Sequence, residues 1–162
     1  MTSRPDLGFE EWVAARVPAL MRFAYLVTGT QHDAEEAVQS ALTAACEKWA
    51  RVGKTQDPDA YVRRMIANAH VSQWRRFGKR VQPAETDTRT APDHADVVAG
   101  NDAVWRVCTT LPRQQRAAVV LRFYEDLEYD EIARVLGVSE ATARSHVSRA
   151  VAALRDELGR EQ

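Results

Sequence analysis

The sequence predicts an all-α fold, on three observations. Apolar residues recur every three or four positions through most of the 162 residues, which is the period of an amphipathic helix. Val, Ile, Tyr and Phe nowhere alternate with polar residues over a strand-length run. Gly, Pro, Asp and Ser stand where helices of ordinary length should begin and end. A change of composition from Val81 to Gly100 then divides the chain into two small helical domains joined by a flexible linker. Pro83, Pro92, Thr86, Thr88 and Thr90 break any period there, and Glu85, Asp87, Asp93 and Asp96 outnumber Arg89. The expected boundaries are 1–79, 80–100 and 101–162.

The first helix is expected from about Phe9 to Val27, anchored by Trp12, Val13, Leu20, Phe23, Ala24 and Val27. Pro18 predicts a kink near Val17, and Gly29 ends the helix. The second is expected after Asp33 as N-cap, running to about Arg51 on Ala34, Ala37, Val38, Ala41, Leu42, Ala45 and Trp49, with Gly53 as stop. A third opens at Pro58, where a missing N–H costs little, with Asp57 as cap, and closes near Gly78. Four more follow at about Asn101 to Thr110, Pro112 to Tyr124, Glu128 to Leu136 and Glu140 to Leu158.

The bulk numbers limit the function. Apolar residues are 45% of the chain, enough for a buried core, and the formal net charge is −1, so any nucleic-acid binding rests on local patches. The polar start Met1-Thr2-Ser3-Arg4-Pro5-Asp6 is no signal peptide, and no apolar run reaches the roughly 18 residues of a membrane span, so a cytoplasmic protein without stable membrane insertion is expected. Cys46 and Cys108 lie far apart in apolar helical patterns and read as small buried residues. His32, His70, His94 and His146 are scattered without metal-ligand spacing, and no glycine-rich phosphate loop or nucleophile elbow is present. A metal at His32, Asp33 and Glu36 is conceivable but poorly supported; neither catalysis, metal nor cofactor is expected.

Three segments carry the functional argument. Tyr129 to Val147 reads as two helices around a tight turn. Ile132, Ala133 and Leu136 share a face, Gly137 supplies the stop, and Ser139 and Glu140 start the second helix. Arg144, Ser145, Ser148 and Arg149 then fall on one side, the residue types that read base edges and phosphates in the major groove. The alternative is an ordinary helical hairpin with exposed arginines. The third helix has Arg63, Arg64, Arg75, Arg76, Lys79 and Arg80 and no acid between Tyr61 and Arg80, interleaved with Tyr61, Trp74 and Phe77 and the amides Asn68 and Gln73. Basic and aromatic side chains together suit separated strands, each stacked base contributing about 1–3 kcal/mol. A solvated basic face over core aromatics is the other reading. Asp33, Glu35, Glu36, Gln39 and Glu47 make the second helix acidic, either as a solvated face or as a dock for a basic protein.

Joined in this order, the motifs resemble those of extracytoplasmic-function (ECF) sigma factors of bacterial RNA polymerase. Asp33-Ala34-Glu35-Glu36-Ala37-Val38-Gln39 resembles the family's core-binding segment, and Ala60 to Ala69 its promoter-melting helix. Leu111-Pro112-Arg113-Gln114-Gln115-Arg116 and Tyr129-Asp130-Glu131-Ile132-Ala133 resemble the entry to its DNA-reading domain. The resemblance spans about Phe9 to Leu158, and the short form is similar to the actinobacterial SigE family; with nothing after Gln162, no added C-terminal domain is expected.

The resemblance implies a promoter-specificity subunit. Asp33, Glu36, Gln39 and Leu42 then dock on the β′ clamp helices, and Arg63, Arg64, Asn68, Trp74, Arg75 and Arg76 open and hold the –10 element. Arg144, Ser145, His146, Ser148 and Arg149 grip the –35 element, with Ala143 and His146 standing where Val and Arg are common. The C-terminal module rests on the β flap, and an anti-sigma factor is a further implied partner. The rival reading is a stand-alone helix-turn-helix regulator with an N-terminal dimerisation or sensing module. Such a regulator reads duplex DNA alone and has no use for the basic aromatic helix.

Overall fold

A computed structural model describes residues 4–77 and 102–160. Among these, every regular element is helical: α1 (Arg4–Thr28), α2 (Gln31–Glu47), α3 (Trp49–Val52), α4 (Pro58–Phe77), α5 (Asp102–Thr110), α6 (Arg113–Phe123), α7 (Tyr129–Leu136) and α8 (Glu140–Arg160). The segment expected as an acidic linker, 80–100, lies outside the described residues. No described helix is long and apolar enough to cross a membrane.

Helices α1, α2 and α4 pack on one another with α3 at their edge, and α5 to α8 form a second group around α8. One apolar core runs through both. Phe23, Val27, Val62 and Ile66 of the first group and Ala117, Leu121, Ile132 and Ala143 of the second are fully buried in a single cluster. Each such large aliphatic or aromatic side chain contributes about 1.5–3 kcal/mol by leaving water. Contact between the groups runs along α1 with α5 and α6, and along α4 with α7.

Local chemistry explains the ends. Helix α1 runs through Pro18 and stops at Gly29, whose φ of 86° is the left-handed conformation glycine adopts without strain. The second helix starts earlier than Asp33. Thr30 is extended, and its hydroxyl accepts the Asp33 N–H at 3.1 Å, so threonine caps and Asp33 becomes the acid of the first turn. This helix also stops short of Arg51. At Lys48 the backbone leaves helical geometry, and α3 turns Trp49 in against Phe9 and Trp12, ring centroids 5.2 Å from each. Asp57 caps α4 as expected, accepting the Ala60 N–H at 3.1 Å. Cys108 is buried but Cys46 is exposed, contrary to expectation, because α2 buries positions 34, 37, 38, 41 and 45 and turns position 46 outward.

The two groups are joined by Arg116. Its guanidinium donates to the carbonyl of Thr28 at 2.9 Å, and to those of Cys108 at 3.1 Å, Thr109 at 3.4 Å and Leu111 at 2.9 Å. These carbonyls end α1 and α5, the negative ends of two helix dipoles. Gly29 leaves the room: a Cβ there would lie 2.9 Å from the Arg116 Cζ. Replacing Arg116 by Met leaves the carbonyls of Thr28, Thr109 and Leu111 without this donor, while Cys108 keeps the Leu111 N–H at 3.1 Å, and urea unfolding should show a loss on the order of 3 kcal/mol. Lys at 116 should recover part of it. Unchanged stability of the Met variant would mean that water satisfies those carbonyls.

Candidate nucleic-acid interface

The turn between α7 and α8 has the expected geometry. Gly137 has φ 73°, its N–H returns to the Ala133 carbonyl at 2.8 Å, and Glu128 and Glu131 form a reciprocal capping box at the start of α7. Ser139 accepts the Thr142 N–H at 3.1 Å to start α8. Ala133 and Ala143, both buried, are the small residues at the crossing. This packing turns Arg144, Ser145, Ser148 and Arg149 outward on one exposed face of α8. Arg144 is braced by Glu140 at 3.1 Å and by the Tyr129 ring, 4.5 Å from its guanidinium. His146 departs from the group. Both ring nitrogens are buried without a hydrogen-bond partner, and burial together with the Arg149 charge pushes its pKa down. Packing against the interior withholds those nitrogens from the exposed face.

On α4 the six expected residues share a helix but not an environment. Asn68, Arg75 and Arg76 are exposed. Arg63 pairs with Glu125, and Arg64 Nη2 lies 3.8 Å from a Glu131 carboxylate oxygen. Arg75 donates to the Leu136 carbonyl at 2.8 Å. Trp74 is half-buried, with the Arg113 guanidinium 5.3 Å from its ring centroid and His70 edge-on at 5.1 Å. Arg64 and Asn68 line a cleft completed by Glu131, Arg134 and Val135.

The acidic face of α2 is open. Glu36 and Gln39 are exposed, while Asp33 and Leu42 are half-buried. Glu36 accepts from Gln73 of α4 at 2.9 Å, and the two line a shallow polar groove with Gln39, Ser40, Thr43 and Glu47. The ligand atoms of His32, Asp33 and Glu36 lie within 4.8 Å of one another, but His32 is already beside Glu36 at 3.5 Å on an exposed face. That spacing is common among surface acids and assigns no metal.

Three polar residues at the junction of the groups were not singled out by their sequence positions. Arg116 directly precedes the buried run Ala117 to Leu121, the one sign in the sequence that its charge is enclosed. Glu125 has a side chain only 1% exposed, and burial pushes its carboxyl up against the opposing pull of Arg63. His70 lies in an apolar stretch of α4 with its Nε2 buried and unpartnered. Burial, then the charges of Arg116 and Arg113, lower its pKa to about 3.

A helix-turn-helix group joined to a second helical group with a basic, aromatic helix defines a sigma-type transcription factor. The Sigma-70 region 2 family model matches residues 12–80, and the Sigma-70, region 4 model matches residues 102–154. The RNA polymerase sigma-E factor of Streptomyces avermitilis is 33% identical over 94% of this chain and 86% of the relative; that of Streptomyces coelicolor is 34% identical over the same shares. The ECF RNA polymerase sigma factor SigM of Mycobacterium tuberculosis is 31% identical over 86% of this chain and 71% of the relative. Among solved structures, the sigma factor RpoE of Bartonella quintana, determined with the anti-sigma factor NepR, has a TM-score of 0.62 at 23% identity, covering 96% of this chain and 99% of that one. SigJ of Mycobacterium tuberculosis has a TM-score of 0.59 at 32% identity, covering 90% of this chain and 53% of that one. The chain belongs to the ECF sigma factors of RNA polymerase, and within them to the actinobacterial SigE type.

His70 makes the fold sensitive to acid. The folded chain keeps it neutral down to about pH 3, whereas the unfolded chain takes up a proton below about pH 6.5. Its stabilisation is complete above that value and is lost as the pH falls toward 3, by about 1.4 kcal/mol per pH unit. Urea midpoints at pH 7 and pH 5 should fall in wild type and change much less in His70→Gln. Equal losses in both proteins would assign the effect to another group.

Proposed function

We propose that this chain binds core RNA polymerase in the cytoplasm and directs promoter-specific initiation, without catalysis or a cofactor of its own. Residues 1–79 form the core-binding and –10 module, 80–100 an acidic connection, and 101–162 the –35 module. The observation that carries this reading is one chain holding two unlike nucleic-acid surfaces. The exposed face of α8 suits a duplex groove, and α4 combines arginines, an amide and an indole suited to separated strands.

On α2, Asp33, Glu36, Gln39 and Leu42 meet the β′ clamp helices; an exposed acid and amide beside a half-buried leucine suit a basic helical partner. Asn68, Trp74, Arg75 and Arg76, with Arg63 and Arg64, hold the opened –10 strand, where stacking and phosphate contacts offset lost base pairing. Arg144, Ser145, Ser148 and Arg149 engage the –35 duplex, with His146 behind them, and the same module rests on the β flap. An anti-sigma factor is a further partner, as the Bartonella quintana relative was solved with one.

Transcription in vitro with purified core polymerase and genomic DNA tests the whole reading. The chain should comigrate with core and produce defined start sites; neither happening would overturn it. Arg149→Ala should weaken –35 use by about 1–3 kcal/mol, measured as promoter strength against wild type, if the arginine makes a bidentate base contact. Gln39→Ala combined with Glu36→Lys should lose core affinity in a pull-down with its helical content intact. Retained affinity would move the dock elsewhere.

A further inference from the structure

Arg144, on the exposed face of α8, is held from outside its own helix. Its guanidinium carbon lies over the Tyr129 ring, 4.5 Å from the centroid, and that of Arg122 lies over the same ring at 4.6 Å. Arg122 belongs to α6, Tyr129 opens α7 and Arg144 stands in the second turn of α8, so a single ring joins these helices. The arrangement starts from a fixed point. Arg122 donates to the Leu127 carbonyl at 2.9 Å and has Glu128 at 3.7 Å. Tyr129 packs against the core, and its helix is pinned behind it by the capping box and by buried Ile132 and Ala133.

We propose that Tyr129 is a positioning residue for duplex recognition. Its ring, backed by Arg122, aims the Arg144 guanidinium at the DNA before the DNA arrives. This rests on the role given to the α8 face above and adds the residue through which Arg144 is directed.

The two arginines are not equivalent on the ring. Arg122 is half-buried and committed to a backbone acceptor of its own module. Arg144 donates to Glu140 at 3.1 Å, and both side chains are exposed, so this is a surface pair of the kind that contributes little and is easily exchanged. A cation–π contact holds the charge at the ring without consuming the planar fork of N–H donors that a guanine edge or a phosphate requires. Arg144 can therefore trade Glu140 for a DNA acceptor and keep the ring. Two cations drawn to one ring also repel each other, and an anionic acceptor at Arg144 relieves that repulsion. Without the ring the long side chain regains its rotamers and must lose them again on binding. Tyr129 sits at the start of a packed helix rather than on a loop, which is where a side chain that aims another one has to be placed.

The test uses the full chain assembled with core polymerase, on a promoter recovered from its own start sites, with promoter use as the readout. Tyr129→Leu should lower promoter use about fivefold, and Tyr129→Phe, which keeps the ring face, should retain most of it. Tyr129→Leu combined with Arg144→Ala should do no worse than Arg144→Ala alone, because the ring acts through that arginine. Combined with Arg149→Ala, the two losses should multiply. On a set of single-base changes in the –35 element, any shift in preference produced by Arg144→Ala should recur in Tyr129→Leu. If circular dichroism shows that Tyr129→Leu is unfolded, Tyr129 replaced by phenylalanine with one, two or three ring fluorines keeps the shape while draining the negative ring face, and promoter use should fall in steps. Losses that multiply with Arg144→Ala, a different pattern of base preference, or a flat fluorine series each overturn the proposal. The same lack of additivity with Arg149→Ala would assign the ring to the whole face and overturn its assignment to Arg144. A wild type without defined start sites fails the sigma reading, whereas a wild type that initiates beside an indifferent Tyr129 variant fails this proposal alone.

Discussion

The closed arrangement of this protein depends on one half-buried cation. Arg116 ends α1 and α5 at once, and a guanidinium can do so because its donors spread in a fixed plane toward several carbonyls. Burial pulls its pKa down to about 10, yet it stays charged at neutral pH. Once it is placed, α6 lies along α1, Tyr124 reaches the Phe23 ring at a centroid distance of 5.4 Å, and the two cores become one. Burial first, and then this charge and that of Arg113, keep His70 neutral, which ties the middle of α4 to the junction.

Around that point the contact between the groups is divided by chemistry. Along α1 it is apolar and dry, with Phe23, Ala24 and Val27 beneath α6. Along α4 and α7 it is made of arginines and their acceptors, with a cleft left between. Apolar burial supplies most of the free energy of such a contact, while paired charges set its register and are more readily exchanged.

Much of this was legible in the sequence because helices are local objects. The all-α class, the eventual bounds of α4, and the turn at Gly137 follow from periodicity and from residues that stop or cap a helix. The misses have equally local causes. Thr30 and Asp33 are both good caps, and the choice went to the one whose backbone could be extended. The break at Lys48 comes from Trp49 turning toward Phe9 and Trp12, distant residues that no window on α2 contains. Cys46 looked apolar by neighbourhood but falls just outside the buried stripe.

The sequence by itself determined the two helical modules, their family and the residue types on each functional face. Those depend on spacing along one helix, and spacing survives without knowledge of the fold. Only the tertiary structure decided which of those residues are presented. Arg144 and Arg149 stay on the surface because α8 packs through Ala143, Val147 and Ala150, whereas Arg63 is drawn in to Glu125, and Arg64 and Arg75, still open to solvent, reach Glu131 and the Leu136 carbonyl, all some 60 residues away in the chain. A charge has no helical period that reveals its partner. Pairing at that separation is set by how two cores close on each other.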